Sequence, residues 1–326
     1  MKVGVTGASG HLGNVVCRFL LDQGYEVNAL YNSTKKALER VNVNLFQGDL
    51  ADKKSLQAFA TTCEVLIHCA GLISITGGQK GLVEKINVEG VKNIIEVAIQ
   101  CGVKKIIHVS SVHALIAPNR NAPMNEKHAY KTENDYAYDY SKARGEQLML
   151  EAFNSGKIEG CVVRPSLVAG PFDFKPSEFG KALIDFRKEK IPVIPAGGYD
   201  FVDVRDVAKS IISAIAKGRN GEAYMVTGRY LSMKELTLFI KQVVGVKVPK
   251  RILPFWAMRA ALPFVKVRGK IKKASPIFTI ESIAALKNGH PHIDSSKAQS
   301  ELGHKPMPIT DSLKDFYEWH DNQREN

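Results

Sequence analysis

Three things are scarce in this chain of 326 residues, and each scarcity excludes something. Cysteine is the first: Cys17, Cys63, Cys69, Cys101 and Cys161 are odd in number and form no C-x-x-C pair. That is neither a disulfide framework nor a zinc-ligand spacing, and it reads as reduced thiols in apolar segments, a cytoplasmic home and no metal site. Long apolar runs are the second. None approaches the ~20 residues needed to span a bilayer, and the strand-like Lys2–Thr6 before Gly7 is too short for a signal-peptide core. The third is acidic charge between Gly245 and Ile280. Nine basic residues fall there (Lys247, Lys250, Arg251, Arg259, Lys266, Arg268, Lys270, Lys272, Lys273) and no Asp or Glu.

What is present is ordinary for a globular chain. Hydrophobic residues make up 44% and charged residues 24%, which excludes disorder, a collagen-like repeat and a coiled coil as the main plan. The net charge of +12, from 45 Lys+Arg against 33 Asp+Glu, is concentrated in the basic stretch 247–273. Such a stretch suggests an anionic neighbour, whether a phosphate, a membrane surface or a nucleic acid; the plainer reading is a solvated face.

The first half alternates β-branched runs with helical patterns. Strands are expected at 2–6, 26–31, 43–47, 65–68 and 104–110, and helices at 11–24, 53–62 and 81–102. A further helix is expected at about 139–154 and a strand at 160–163. Repeated strand–helix–strand units argue for an α/β fold, a Rossmann-type doubly wound parallel sheet. Prolines at 165, 171, 176, 192 and 195 then change the texture. The alternation returns briefly at 203–226, and the rest is helical and loop-rich. The expected division is a dinucleotide-binding domain, 1–165 plus about 200–226. A smaller mixed C-terminal substrate domain would comprise about 166–199 and 227–326.

The first strand runs into Thr6-Gly7-Ala8-Ser9-Gly10-His11-Leu12-Gly13 and then a helix. Gly7 permits the tight turn, Gly10 lets backbone approach a pyrophosphate, and Gly13 allows helix to pack on strand. N–H groups at Ser9–Gly13 would face the phosphates. Tyr138-Asp139-Tyr140-Ser141-Lys142 puts Tyr138 and Lys142 on one helical face. A tyrosine with a pKa near ~10 needs a neighbouring cation to act as an acid–base at neutral pH, and Lys142 is placed to supply it. Tyr136 and Tyr140 lack the four-residue spacing.

This ordered set resembles the extended short-chain dehydrogenase/reductase family, the superfamily of NAD-dependent epimerases and dehydratases. Besides the glycine turn and Tyr138-x-x-x-Lys142, the resemblance rests on Gly48-Asp49-Leu50, His68-Cys69-Ala70-Gly71, Ile86-Asn87-Val88-Glu89-Gly90 and Arg164-Pro165-Ser166-Leu167-Val168-Ala169-Gly170-Pro171. It also rests on Phe201-Val202-Asp203-Val204-Arg205-Asp206-Val207-Ala208 and Leu302-Gly303, and so covers nearly the whole chain. It implies a Ser111–Tyr138–Lys142 catalytic set, with Ser111 on the substrate oxygen, Tyr138 as proton donor and Lys142 also on the nicotinamide ribose. It further implies cofactor contacts from Asp49 and Leu50 near the adenine, from Cys69, Ala70, Gly71 and Asn87, and from Pro165, Leu167 and Val168. At the end of the second strand, Tyr31 and Asn32 are followed by Lys35 and Lys36. The NAD-type acid is missing there, which favours NADP over NAD.

Within the family, the glycine turn and the apolar Leu72-Ile73-Ser74-Ile75 look like the dihydroflavonol-reductase and hydroxysteroid-dehydrogenase-like group. The expected activity is hydride transfer to a ketone or aldehyde on an apolar or aromatic small molecule. Alternatives are a nucleotide-sugar epimerase or dehydratase with tightly bound NAD, a 3β-hydroxysteroid dehydrogenase-like enzyme, and a non-enzymatic NADP-sensing regulator. Expected partners are the carbonyl substrate, a peripheral membrane contact through 247–273 and a second copy in a homodimer. No nucleic-acid partner is expected.

Overall fold

The computed structural model describes residues 1–272 and 279–325, and the side chains of 1–264 and 279–323. Lys273 and the side chains of Lys266, Arg268, Lys270 and Lys272 thus lie outside the described residues. Seven parallel strands form the main sheet: β1 (Lys2–Thr6), β2 (Glu26–Tyr31), β3 (Asn44–Gln47), β4 (Val65–His68), β5 (Lys105–Val109), β6 (Glu159–Pro165) and, later in the chain, Ala223–Val226. Their order places that late strand at one edge, followed by β6, β5, β4, β1, β2 and β3. From β1 the chain first runs outward to β2 and β3, then returns to lay β4 on the other side of β1. The carboxyl ends of β1 and β4 therefore diverge into a crevice, the switch point where such sheets bind ligands.

Near-continuous burial of β1, β4 and β5 follows from helices on both faces. On one face α1 (His11–Asp22) packs with Val204–Lys217, burying Val15, Val16 and Leu20 against Val207 and Ile211. On the other face lie α2 (Lys53–Ala60), the segment Leu82–Gln100 and the long helix Ala137–Asn154, around Leu56, Phe59, Ile94, Met149 and Phe153. The stretch expected as one helix over 81–102 is broken: Leu82–Glu84 is α-helical, Lys85–Glu89 is a π turn, and Gly90–Gln100 is α-helical again. Gly145 of the long helix packs on that π turn, where a Cβ would stand 2.4 Å from the Asn87 carbonyl oxygen.

Residues expected in the smaller part make two small sheets and a helical cluster. Leu167–Ala169 pairs parallel with Gly198–Asp203, which pairs antiparallel with Arg229–Ser232. Ile194–Pro195 pairs with Ile252–Leu253. Residues 200–203 thus belong to a small sheet, and the return toward the main sheet begins at Val204. Asp200 to Asp203 are all buried, so the chain passes under cover from the small sheet into the helix that begins at Val204. A third core of Leu183, Phe186, Leu236, Ile240, Met258, Leu262, Ile283 and Phe316 holds this part together.

Candidate active site

Parallel register brings Thr6, His68 and His108 side by side across β1, β4 and β5, so the segments that follow these strands emerge together. Those segments are the glycine turn, Cys69–Gly71 and Ser110–Ser111. The turn is locked sterically: Gly7 has φ +66°, a Cβ there would lie 2.7 Å from Ala70 Cα, and a Cβ on Gly13 would lie 2.2 Å from the Gly7 carbonyl oxygen. Gly10 differs. It caps α1 without a side-chain partner, and its Cβ position meets only the Gly7 carbonyl, at 3.2 Å. An exposed, side-chain-free helix start at the sheet's switch point is the shape a pyrophosphate needs. His11 Nε2 is 2.9 Å from the Pro171 carbonyl and Asn14 Nδ2 donates to the Phe172 carbonyl at 3.1 Å, which ties the turn to the Arg164–Pro171 segment.

Ser111 ends the β5 loop as the N-cap of a short 3-10 turn, its hydroxyl accepting from the His113 N–H at 3.1 Å. Tyr138 and Lys142 lie in the first turns of Ala137–Asn154. Tyr138 lies near enough to Ser111 for the serine side chain to pull its phenol pKa down, and Lys142 Nζ donates to the Val109 carbonyl at 2.8 Å. The three residues therefore converge on one point beside Gly71, whose Cβ position is 3.4 Å from Asn87 Oδ1 and 3.8 Å from Lys142 Nζ. His113 flanks Tyr138, with ring centroids 6.3 Å apart and Nδ1 3.4 Å from Asp139.

Asn87 is a brace in this geometry. Its Oδ1 accepts from the Leu72 N–H at 2.7 Å, while Nδ2 donates to the Leu72 carbonyl at 3.0 Å and to Ser141 Oγ at 2.9 Å. It fixes the loop after β4 to the helix that carries Tyr138 and Lys142. Beneath that helix lies a group that spacing in sequence did not reveal. Arg164 Nε donates to both Glu146 oxygens at 3.0 and 3.2 Å, Tyr130 donates to Glu146 at 2.8 Å, and Arg164 also donates to the Tyr130 hydroxyl and the Glu126 carbonyl, each at 3.0 Å. Glu146 is four residues after Lys142, so Tyr138, Lys142 and Glu146 form one helical stripe.

Burial sets the charges. It pushes the Tyr138 phenol up to about 12, with Ser111 pulling down and Asp139 pushing up. It draws the Lys142 ammonium down to about 8, against the Glu146 charge that raises it. Burial also lowers His68 to about 3, helped by Lys142, and carries His108 well below its ordinary value. The two rings stack at 5.4 Å, and His68 Nδ1 is 2.8 Å from Thr6 Oγ1, so both are neutral core residues. Cys69, raised to about 12 by burial, is a thiol rather than a nucleophile.

The remaining expected cofactor residues have the following places. Pro165 closes β6, and Leu167 and Val168 follow, half-buried. Leu50 is buried against Gly90. Asp49 accepts from Asn32 Nδ2 at 2.7 Å and from the Ala51 N–H at 2.8 Å. Tyr31 ends β2 half-buried, and Lys35 and Lys36 are exposed beyond it. Among the described residues no group of His, Cys, Asp or Glu could hold a metal ion.

Residues 3–227 match the model of the NAD dependent epimerase/dehydratase family. The chain belongs to this family. Its extended short-chain dehydrogenase/reductase character agrees with the relatives. Sterol demethylase protein B of Methylococcus capsulatus is 31% identical over 97% of each chain. A putative dihydroflavonol 4-reductase of Synechocystis is 28% identical over 98% of this chain and 94% of that one. Mouse 3 beta-hydroxysteroid dehydrogenase type 7 is 25% identical over 93% and 90%. The crystal structure of gox2253 superposes with a TM-score of 0.84 at 29% identity, covering 99% and 98%. Family membership makes this an oxidoreductase-type protein built for a nicotinamide cofactor, and the Gly7–Gly13 turn has the shape to hold one.

Proposed function

We propose that the protein is an NADP-linked reductase of a ketone or aldehyde on an apolar small molecule. The observation that carries this reading is the convergence of Tyr138 on Ser111 beside the buried Lys142. The nicotinamide supplies the hydride when bound. Ser111 would orient the substrate oxygen. Tyr138, protonated at neutral pH, would give its proton to that oxygen as charge develops on it. Lys142, anchored by the Val109 carbonyl, would hold positive charge next to the phenolate left behind. Gly7–Gly13 would cradle the pyrophosphate, with Cys69–Gly71 and Pro165–Val168 along the nicotinamide half.

For NADP, the support is the end of β2. Asn32 stands where a ribose-binding acid would be, the nearby Asp49 is already engaged by Asn32 and Ala51, and Lys35 and Lys36 are exposed. For an apolar substrate, the support is the sterol-linked and flavonol-linked relatives, together with the exposed Ile73 next to Leu72, which Asn87 ties to the helix carrying Tyr138. Purified protein should oxidise NADPH faster than NADH when given cyclic and aromatic ketones or aldehydes. Tyr138→Phe should lower turnover by about 10²–10⁴-fold, the usual range for a lost general acid, while NADPH still binds. Undiminished turnover in that variant would remove Tyr138 from the chemistry. Tightly bound, non-exchanging NAD without carbonyl reduction would instead favour an epimerase.

A further inference from the structure

The helix Phe255–Lys272 turns the wrong way for a core element. Trp256 is 74% exposed and Phe264 78% exposed, whereas Met258 and Leu262 are buried. At ~100° per residue, Trp256, Arg259, Ala260, Pro263 and Phe264 share a face about 140° wide, with Met258 and Leu262 behind it. All five are exposed. The helix is thus packed by one side and presents two large aromatic side chains, flanked by a cation, on the other. Ile252, 47% exposed, precedes it, and Ile280, 50% exposed, starts the next helix, which packs against it.

Charge distinguishes this face from a plain apolar patch. Lys247, Lys250, Arg251 and Arg259 are all exposed, and Lys266, Arg268, Lys270, Lys272 and Lys273 follow in sequence. No acidic residue occurs from Gly245 to Ile280; a nearby carboxylate is Glu189, which accepts from the Lys247 N–H at 3.0 Å. Exposed Trp and Phe among exposed cations are what the interface of an anionic bilayer recognises, the rings entering the headgroup boundary and the cations the surface potential. Among the described residues no helix is long and apolar enough to cross a membrane, so such contact would be peripheral. A second copy of this chain would bring like charge against like charge.

We propose that the outward face of Phe255–Phe264, with the exposed cations Lys247, Lys250, Arg251 and Arg259, docks the protein on an anionic lipid surface, with Trp256 and Phe264 as the inserted side chains. This does not depend on the catalytic reading, because none of these residues belongs to the site around Tyr138.

The test is sedimentation of the full chain with vesicles of phosphatidylcholine alone or with phosphatidylglycerol added, at low salt and near 1 M salt. Binding should require phosphatidylglycerol and disappear at high salt, where charges are screened within about 3 Å. Trp256 emission should shift to the blue on binding, a change absent from Trp256→Phe. The pair Trp256→Ala and Phe264→Ala should weaken partitioning about tenfold or more without lowering the melting temperature, since both side chains are exposed. Equal binding to both vesicles at all salt concentrations, or no binding, would overturn the proposal. So would a loss of oligomer mass in the variant without vesicle binding, which would make the face a contact between copies.

Discussion

Breaking the Glu146–Arg164 ion pair beneath the Ala137–Asn154 helix should cost stability and move the pH dependence of the proposed reaction together. Glu146 is 0% exposed and Arg164 1%. Glu146→Gln keeps the shape but removes the charge that faces Arg164 through two Nε contacts and accepts from Tyr130. A buried pair stripped of one partner typically loses about 3–5 kcal/mol, mainly the uncompensated desolvation of the survivor. Against a domain stability of about 5–15 kcal/mol that is severe but survivable. Arg164→Met should cost a similar amount for the mirror-image reason. The double variant Glu146→Leu, Arg164→Met removes both charges and should be less destabilised than either single change, which urea unfolding would show as a coupling energy of several kcal/mol. Glu146 also raises the Lys142 pKa. Its loss should push the Lys142 titration further below about 8 and carry the high-pH limb of turnover to lower pH. Additive single effects, or an unmoved limb in a folded Glu146→Gln enzyme, would refute the view that this pair both supports the helix and tunes Lys142.

Two further outcomes follow from buried titrating groups. Lys142 loses its proton as pH rises through about 8, so kcat/KM for carbonyl reduction should fall about tenfold per pH unit above that point, and Lys142→Met should be slow with no such limb. Asp200 is pushed up to about 6 by burial, with the Gly228 N–H at 2.8 Å working against the shift. Its folded-state pKa lies above its ordinary value of 3.8, so the stability tied to its protonated form is complete below pH ~4 and lost as pH rises through ~6. Asp200→Asn should therefore abolish a loss of about 3 kcal/mol between pH 4 and 7, measured as the wild-type minus variant difference in urea unfolding.

Most of the main sheet was legible because buried parallel strands are runs of Val and Ile bounded by polar or glycine residues. Five of its strands fall within a residue or two of expectation; β6 runs longer, from Glu159 to Pro165. The π turn at Lys85–Glu89 was not, because one extra residue in a turn hardly disturbs the spacing of Val83, Val88 and Val91. Nor was the role of Gly145, a mid-helix glycine that reads as a weakness until the backbone of Asn87 is seen beside it. Arg164 carried a motif, yet its partner Glu146 lies 18 residues earlier on a helix, and pairing across that distance leaves no periodic trace. The strand Gly198–Asp203 had no reading of its own in the sequence, since whether a short strand pairs in the main sheet or in a small one depends on neighbours that sequence order does not name.

One physical cause, burial, acts on the ionisable groups of Tyr138 and Lys142 in opposite directions, and on the proposed reading this gives the site a direction. It raises the phenol of Tyr138 and lowers the ammonium of Lys142, because each is pushed toward its neutral form. The gap between about 12 and about 8 still leaves Tyr138 protonated and Lys142 mostly charged at pH 7. A protonated tyrosine can donate to a carbonyl oxygen without prior titration, whereas removing a proton from an alcohol first requires Tyr138 to lose its own. Raising the pH to make phenolate would discharge Lys142 on the way, taking with it the cation that stabilises phenolate. In the proposed reaction, oxidation would be opposed by the same titration that would otherwise promote it, and carbonyl reduction near neutral pH would be the direction these two side chains serve without conflict.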